Sequence, residues 1–428
     1  MPGQDRPRLL NVKTRPRALV IGGSIGGLFA ANWLRAIGWD VTVFERVEDD
    51  LASRGAGIGV HDELLAVLRR LGLTVDDSIG VMGHTRICLD RNGRVTHEIA
   101  RPQLQSSWAR VYRLLKDAFP PAAYRFGMAL ERIEQDAAGV TALFADGSRA
   151  RGELLVGADG IRSTVRERLL PEARPLYAGY VAWRGMVDEW AIPGELHAQL
   201  FSNYTLCLPD GEMMLAYPVP GRDNDTRPGR RGYNHIWYRP TDYHETLPRL
   251  CTDAAGRCHG IAIPPPLIRP EVIAEIKASA RSLLAPQIAA IVERTDQVFF
   301  QAIFDLESPR MALGRVALLG DAAFVARPHV GMGVTKAALD AECLAREIKA
   351  ADGDLDAALA RYDRERRPFG TRIVARARRL GAYIEAQLKP PAERTEAERQ
   401  PPPETIMREI GSMAVDIRAL TGARKDEE

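Results

Sequence analysis

Residues Ala18-Leu-Val-Ile21 form a short apolar run that stops at Gly22-Gly-Ser-Ile-Gly-Gly27. The following segment, Leu28 to Ile37, carries apolar positions at helical spacing and ends at Gly38, a C-cap residue. Val41-Thr-Val-Phe44 reads as a second strand and closes on Glu45. A strand, a glycine turn, a helix and a strand ending in an acid, all within about 30 residues, is the pattern of a βαβ unit that holds a dinucleotide. A chain built around this unit is an α/β protein with a Rossmann-like domain.

In that reading Gly22, Gly23, Ser24, Ile25, Gly26 and Gly27 surround a pyrophosphate, because glycine lets backbone N–H groups approach it and the helix dipole favours its charge. Glu45 accepts from ribose hydroxyls. Ser24 occupies the middle glycine position of the G-x-G-x-x-G pattern, so the turn alone does not separate NAD from FAD. A glycine turn without a ligand is the alternative.

Two later segments repeat the device. Leu154-Leu-Val-Gly-Ala-Asp-Gly-Ile-Arg-Ser-Thr-Val-Arg166 runs from an apolar strand into an Asp-Gly turn and a new helix, with Asp159 and Gly160 at the junction. Gly314-Arg-Val-Ala-Leu-Leu-Gly-Asp-Ala-Ala323 places Asp321 at another strand end, followed by Pro328-His-Val-Gly-Met-Gly333 and a helix from about Val334. Three such junctions with two acids suggest one extended dinucleotide held from several sides.

With these three motifs in this order, the chain resembles the group A flavoprotein aromatic hydroxylases, single-chain FAD monooxygenases of the p-hydroxybenzoate hydroxylase type. The resemblance covers roughly residues 16 to 385. Tyr177 to Gly185, Tyr217-Pro-Val-Pro-Gly221 and Arg327-Pro-His329 are similar to the branch that hydroxylates dihydroxypyridines. The resemblance implies an enzyme in which NAD(P)H reduces FAD and O2 then forms a flavin hydroperoxide that hydroxylates an electron-rich ring. A hydroxylated pyridine is the expected substrate, with hydroxynicotinate, urate or a phenol as alternatives.

The same resemblance assigns Glu45 to the AMP ribose with Arg46 beside it, Asp321 to the ribityl chain, and Pro328, Gly331, Met332 and Gly333 to the flavin edge. It lays Arg54, Gly57 and Ile58 along the isoalloxazine, Leu130 beside adenine, and Asp159 and Gly160 against both FAD and the reduced nicotinamide. Asp159 also reads as a helix N-cap. An arginine before the third helix is either Arg110 or Arg113, with Arg110 preferred. Phe324 and Thr335 depart from the His and Asn of many relatives.

A hydroxylated ring reacts best when deprotonated, so an acceptor or proton relay is expected beside it. His329, His61 and Tyr217 are the candidates. His61 has a second reading as the first residue of the helix carrying Leu64, Leu65 and Leu68, and Tyr217 as a core tyrosine. A dehydrogenase or oxidase on the same fold, or a nucleotide-sensing protein with a degenerate site, are the rival readings.

The remaining sequence bounds the partners. Lys+Arg 58 against Asp+Glu 56 leaves a net charge of +2, which offers no field for a nucleic acid. No apolar run reaches the ~18 residues of a membrane span and the start lacks a signal-peptide core, so a cytoplasmic protein is expected. Cys88, Cys207, Cys251, Cys258 and Cys343 form no Cys-x-x-Cys pair, so neither disulfides nor a metal are expected.

The domain reading is an FAD-binding domain over 14–173 and 296–388 with C-terminal helices, and a substrate domain over 174–295. Short alternating segments with Pro/Gly turns make the latter a mixed, mostly antiparallel sheet. A polar linker and tail then occupy 389–428, where Ile406, Ile410, Met413, Ile417 and Leu420 predict one amphipathic helix, packed on this chain or on a second subunit. A homodimer is expected.

Overall fold

The computed structural model describes residues 15–51 and 57–412. Arg54 and the tail positions Met413, Ile417 and Leu420 lie outside the described residues.

The first layer is a six-stranded sheet ordered Ala312–Leu313, Val316–Leu318, Leu154–Gly157, Arg17–Ile21, Asp40–Phe44, Tyr124–Arg125. All neighbours are parallel except the first pair. Ala18 to Ile21 and Leu154 to Gly157 are buried at every position, as strands covered on both faces must be. The helix Ile25–Ala36 buries Leu28, Phe29 and Leu34 and packs against the helix Gly333–Ala350. It stops where Gly38 takes φ +95°, a left-handed conformation that costs glycine nothing. The three strand-to-helix junctions therefore come from adjacent strands and open at one sheet edge, the place where doubly wound sheets hold ligands.

The second layer is a nine-stranded sheet, antiparallel except where Asn203–Cys207 runs parallel to Val81–Leu89. Segment 174–295 supplies four of its strands, Leu176–Asp188, Asn203–Cys207, Met213–Val219 and Gly232–Pro240. The others come from both sides of that segment: Gly57–Gly59, Val81–Leu89, Val95–Ser107, Phe299–Glu307 and Phe324–Val325. The substrate layer is thus continuous with the loop after the second strand of the dinucleotide unit. A three-stranded sheet, Leu130–Asp136, Gly139–Phe144 and Arg149–Gly152, completes the fold.

Leu355–Glu385 is one long helix that tolerates Pro368 and fixes itself to the parallel sheet through Tyr362, whose hydroxyl donates to the Leu318 carbonyl at 2.8 Å. Beyond it, the expected long amphipathic helix is shorter. It spans Pro403–Glu409 and ends because Gly411 adopts φ +61°. Ile406, Met407 and Ile410 are buried on this chain. The preceding polar stretch is held too, with the Gly211 N–H donating to Gln400 Oε1 at 2.8 Å. Among the described residues no helix is long and apolar enough to cross a membrane.

Candidate active site

Two cavities meet between the layers. One of about 380 Å³ follows the three junctions of the parallel sheet. The other, about 300 Å³, lies between Gly331–Gly333 and the nine-stranded sheet. Trp108, Asp321, Gly333 and Val334 line both, so one elongated ligand can run from the first into the second.

The glycine turn is shaped by close approach. Gly22 has φ +101°, and a Cβ there would lie 2.4 Å from the Ala158 carbonyl oxygen. A Cβ on Gly23 would overlap the Tyr124 hydroxyl, and one on Gly27 the Gly22 carbonyl. These last two glycines serve chain packing; Gly22, Ser24, Ile25 and Gly26 line the first cavity. Ser24 is the N-cap of its helix without a side-chain cap bond, and Met332 is likewise the uncapped N-cap of Gly333–Ala350. Two helix N-termini thus present free N–H groups, each an electropositive seat for an anion or a carbonyl edge.

The acids divide their tasks. Glu45 is buried, and its two oxygens accept from the backbone N–H of Gly23 at 2.8 Å and of Val47 at 3.0 Å. Each oxygen has further lone-pair capacity, and Glu45, Arg46 and Leu130 line the first cavity as expected. Asp159 accepts from the Ser163 hydroxyl at 2.5 Å and the Val165 N–H at 3.1 Å; burial pushes its carboxyl upward. The N-cap of that helix is Ser163 rather than Asp159. Asp321 opens onto both cavities, where enclosure by protein raises its carboxyl and the Lys336 charge opposes the rise. The loop carrying it is fixed by the Gly320 N–H, which donates to Asp340 Oδ2 at 3.1 Å.

In the second cavity Gly57, Ile58, Pro328, Gly331 and Met332 take their expected places. Tyr217 is there as well, stacked on Tyr204 at 5.0 Å with 11° between the rings. His329 lines the same cavity but is almost fully buried, with its Nε2 2.7 Å from the Tyr180 hydroxyl. Burial, helped by the Arg327 charge, pushes its imidazole down to about 3, so it is neutral at pH 7 and a poor proton acceptor.

Two expectations are corrected. His61 lines neither cavity: it is the N-cap of Asp62–Arg70, and its Nδ1 lies 3.0 Å from Thr335 Oγ1. Neither Arg110 nor Arg113 reaches the site. Half-buried Arg110 donates to the Ser78 hydroxyl at 2.6 Å, and exposed Arg113 lies 3.9 Å from Asp223. Trp108, the first residue of the helix Trp108–Asp117, stands in the shared wall instead.

Gln105, Arg184, Tyr204 and Tyr238 also line the second cavity, and no motif in the sequence announces them. Among the described residues both ends of the Gln105 carboxamide are buried without a hydrogen-bond partner, a costly state. Only alternation along Val95–Ser107, which puts Gln103 and Gln105 on one face, could have pointed to it.

These residues fit FAD. A glycine cradle closed to any Cβ, two uncapped helix N-termini and an acid at the junction of the two cavities match a pyrophosphate, a flavin edge and a polyol chain.

A family model described as FAD binding domain matches residues 15–205 and 275–377, and a second, FAD binding domain-like, matches 177–305. The chain belongs to the FAD-dependent aromatic hydroxylases, the group A flavoprotein monooxygenases. It is 32% identical to 2,6-dihydroxypyridine 3-monooxygenase of Paenarthrobacter nicotinovorans over 87% of this chain and 92% of that protein. The structure of 2,6-dihydroxypyridine-3-hydroxylase from Arthrobacter nicotinovorans superposes with a TM-score of 0.81 at 31% identity, covering 87% and 93% of the two chains. HpxO of Klebsiella pneumoniae, complexed with FAD and uric acid, superposes with a TM-score of 0.69 at 25% identity, covering 97% and 95%.

Proposed function

We propose that the protein hydroxylates a small hydroxylated pyridine, with NADH or NADPH as electron donor and O2 as the oxygen source. FAD, when bound, supplies the electron transfer and the oxygen chemistry. The protein contributes orientation, exclusion of water and placement of hydrogen bonds.

The observation that carries this reading is the Gln105 carboxamide, buried at the wall of the second cavity and without a partner among the described residues. The carboxamide carries a donor and an acceptor side by side, the complement of a ring N–H next to a ring carbonyl. A plain phenol leaves half of that pair unmet, and a site built on such polar groups discriminates strongly. Tyr204, Tyr217 and Tyr238 surround the same space, all with phenols that burial keeps protonated at neutral pH, so they donate to an anionic ring oxygen. Arg184 adds a fixed positive charge, its Nη1 donating to Gln301 Oε1 at 2.8 Å.

The likeness to the dihydroxypyridine enzymes supports the same substrate class. A panel of hydroxypyridines, phenols and purines, each scored for NADH consumption against oxygenated product, tests it. Coupled turnover is expected with 2,6-dihydroxypyridine or a close relative; equal coupling with simple phenols contradicts it.

A further inference from the structure

Ile410 and Gly411 line the second cavity beside His329 and Tyr217. The carboxy-terminal segment that brings them there is held with unusual completeness. The carbonyls of five consecutive residues each accept from a side chain of another part of the fold: Met407 from Arg86 at 2.5 Å, Arg408 from Arg101 at 2.6 Å, Glu409 from Arg376 at 3.1 Å, Ile410 from Arg86 at 2.7 Å, Gly411 from Gln103 at 2.8 Å. The Gly411 N–H closes the set by donating to the His329 carbonyl at 2.7 Å.

Arg86 is the centre of this arrangement. It has no exposed surface, it forms no ion pair among the described residues, and burial lowers its guanidinium to about 10. A cation buried without a counter-charge is expensive. Here it faces the carbonyl end of the helix Pro403–Glu409, and its guanidinium lies 4.8 Å from the Tyr204 ring, which stacks on Tyr217. One unbroken set of contacts therefore joins the tail to the aromatic wall of the cavity.

We propose that Ile410 and Gly411, held in place by residues 403–409, are a specificity-determining wall of the ring-binding cavity, with Arg86 as the positioning residue of that segment. The wall limits the size of the ring and keeps water from the reacting face. This inference rests on the aromatic ring occupying the second cavity, and not on which ring it is.

The test uses the full-length, FAD-loaded protein carrying Ile410→Ala, Arg86→Met or Arg86→Lys. Ring binding is read from the perturbation of flavin absorbance on titration with 2,6-dihydroxypyridine, and coupling from the ratio of product to hydrogen peroxide. Ile410→Ala should retain FAD while lowering the melting temperature by a few degrees, weaken ring binding about tenfold, and relax discrimination against a bicyclic hydroxylated heteroaromatic. Arg86→Met should act in the same direction, with Arg86→Lys recovering part of the loss. Should Arg86→Met fail to fold, Ile410→Ala decides alone. FAD-loaded Ile410→Ala that binds and couples as the parent does overturns the proposal. If the parent responds to a different aromatic ring and to no hydroxypyridine, the substrate reading fails; the wall then stands or falls on the same variants titrated with that ring.

Discussion

The carboxylate of Glu45, at the end of the second parallel strand, accepts a 2.8 Å hydrogen bond from the N–H of Gly23 in the turn that follows the first. The acid that the motif assigns to ribose thus also holds the glycine turn in shape. Glu45→Gln keeps the volume but replaces one acceptor oxygen with a donor facing an N–H. The expected result is a loss of about 1.5 to 3 kcal/mol in FAD affinity, seen as a roughly 10- to 150-fold higher dissociation constant by flavin fluorescence. An unchanged constant would restrict Glu45 to packing.

Asp321 has a simpler role, since its carboxylate opens onto both cavities while its loop is fixed by the backbone bond from Gly320 to Asp340. Asp321→Ala should therefore leave the fold intact and release FAD, by about 1.5 to 3 kcal/mol of affinity. The melting temperature of the flavin-free protein, unchanged beside a raised FAD dissociation constant, separates this from unfolding.

What the sequence makes legible here is local. Ala18 to Glu45 announces itself because strand, turn, helix and strand follow one another without a long-range contact, and Gly22 and Asp321 carry their meaning in their neighbours. Trp108, Gln105, Tyr204 and Tyr238 do not. They converge because Val81–Leu89 pairs with both Val95–Ser107 and Asn203–Cys207, a register that no short pattern encodes. His61 misleads for the same reason: it follows the flavin loop in sequence, but the helix it starts turns its ring toward Thr335. The tail shows the limit of periodicity, since an apolar stripe continues past residue 410 while Gly411 ends the helix.

Gln105 separates substrate recognition from cofactor binding. Gln105→Leu removes both hydrogen-bonding atoms at similar size, so the ring should lose at least about tenfold in affinity while simple phenols lose little. FAD content should stay at the parent level. Equal losses for both ring types would place the carboxamide elsewhere in the chemistry.

Acid stability carries the mark of two buried histidines. Burial holds both His235 and His329 down to about 3 in the folded state, against an ordinary value near 6.5. A depressed folded value contributes stability that is complete above about pH 6.5 and is lost progressively as pH falls toward 3. Each should therefore cost on the order of 2 kcal/mol between pH 7 and pH 5. Among the described residues His235 bonds to Thr295 and lines neither cavity, so His235→Asn should reduce the drop in urea-unfolding free energy between these pH values by its share. An identical drop in the variant would show that this histidine is not the group that titrates.

Oxygen insertion is the central claim, and isotopic oxygen reads it directly. FAD-loaded protein supplied with NADH, 2,6-dihydroxypyridine and ¹⁸O2 should yield a trihydroxylated ring carrying one ¹⁸O atom, detected by mass spectrometry, for each NADH consumed. Oxidation of NADH with all of the label in hydrogen peroxide, or a product whose new oxygen comes from water, would contradict a monooxygenase acting on this ring.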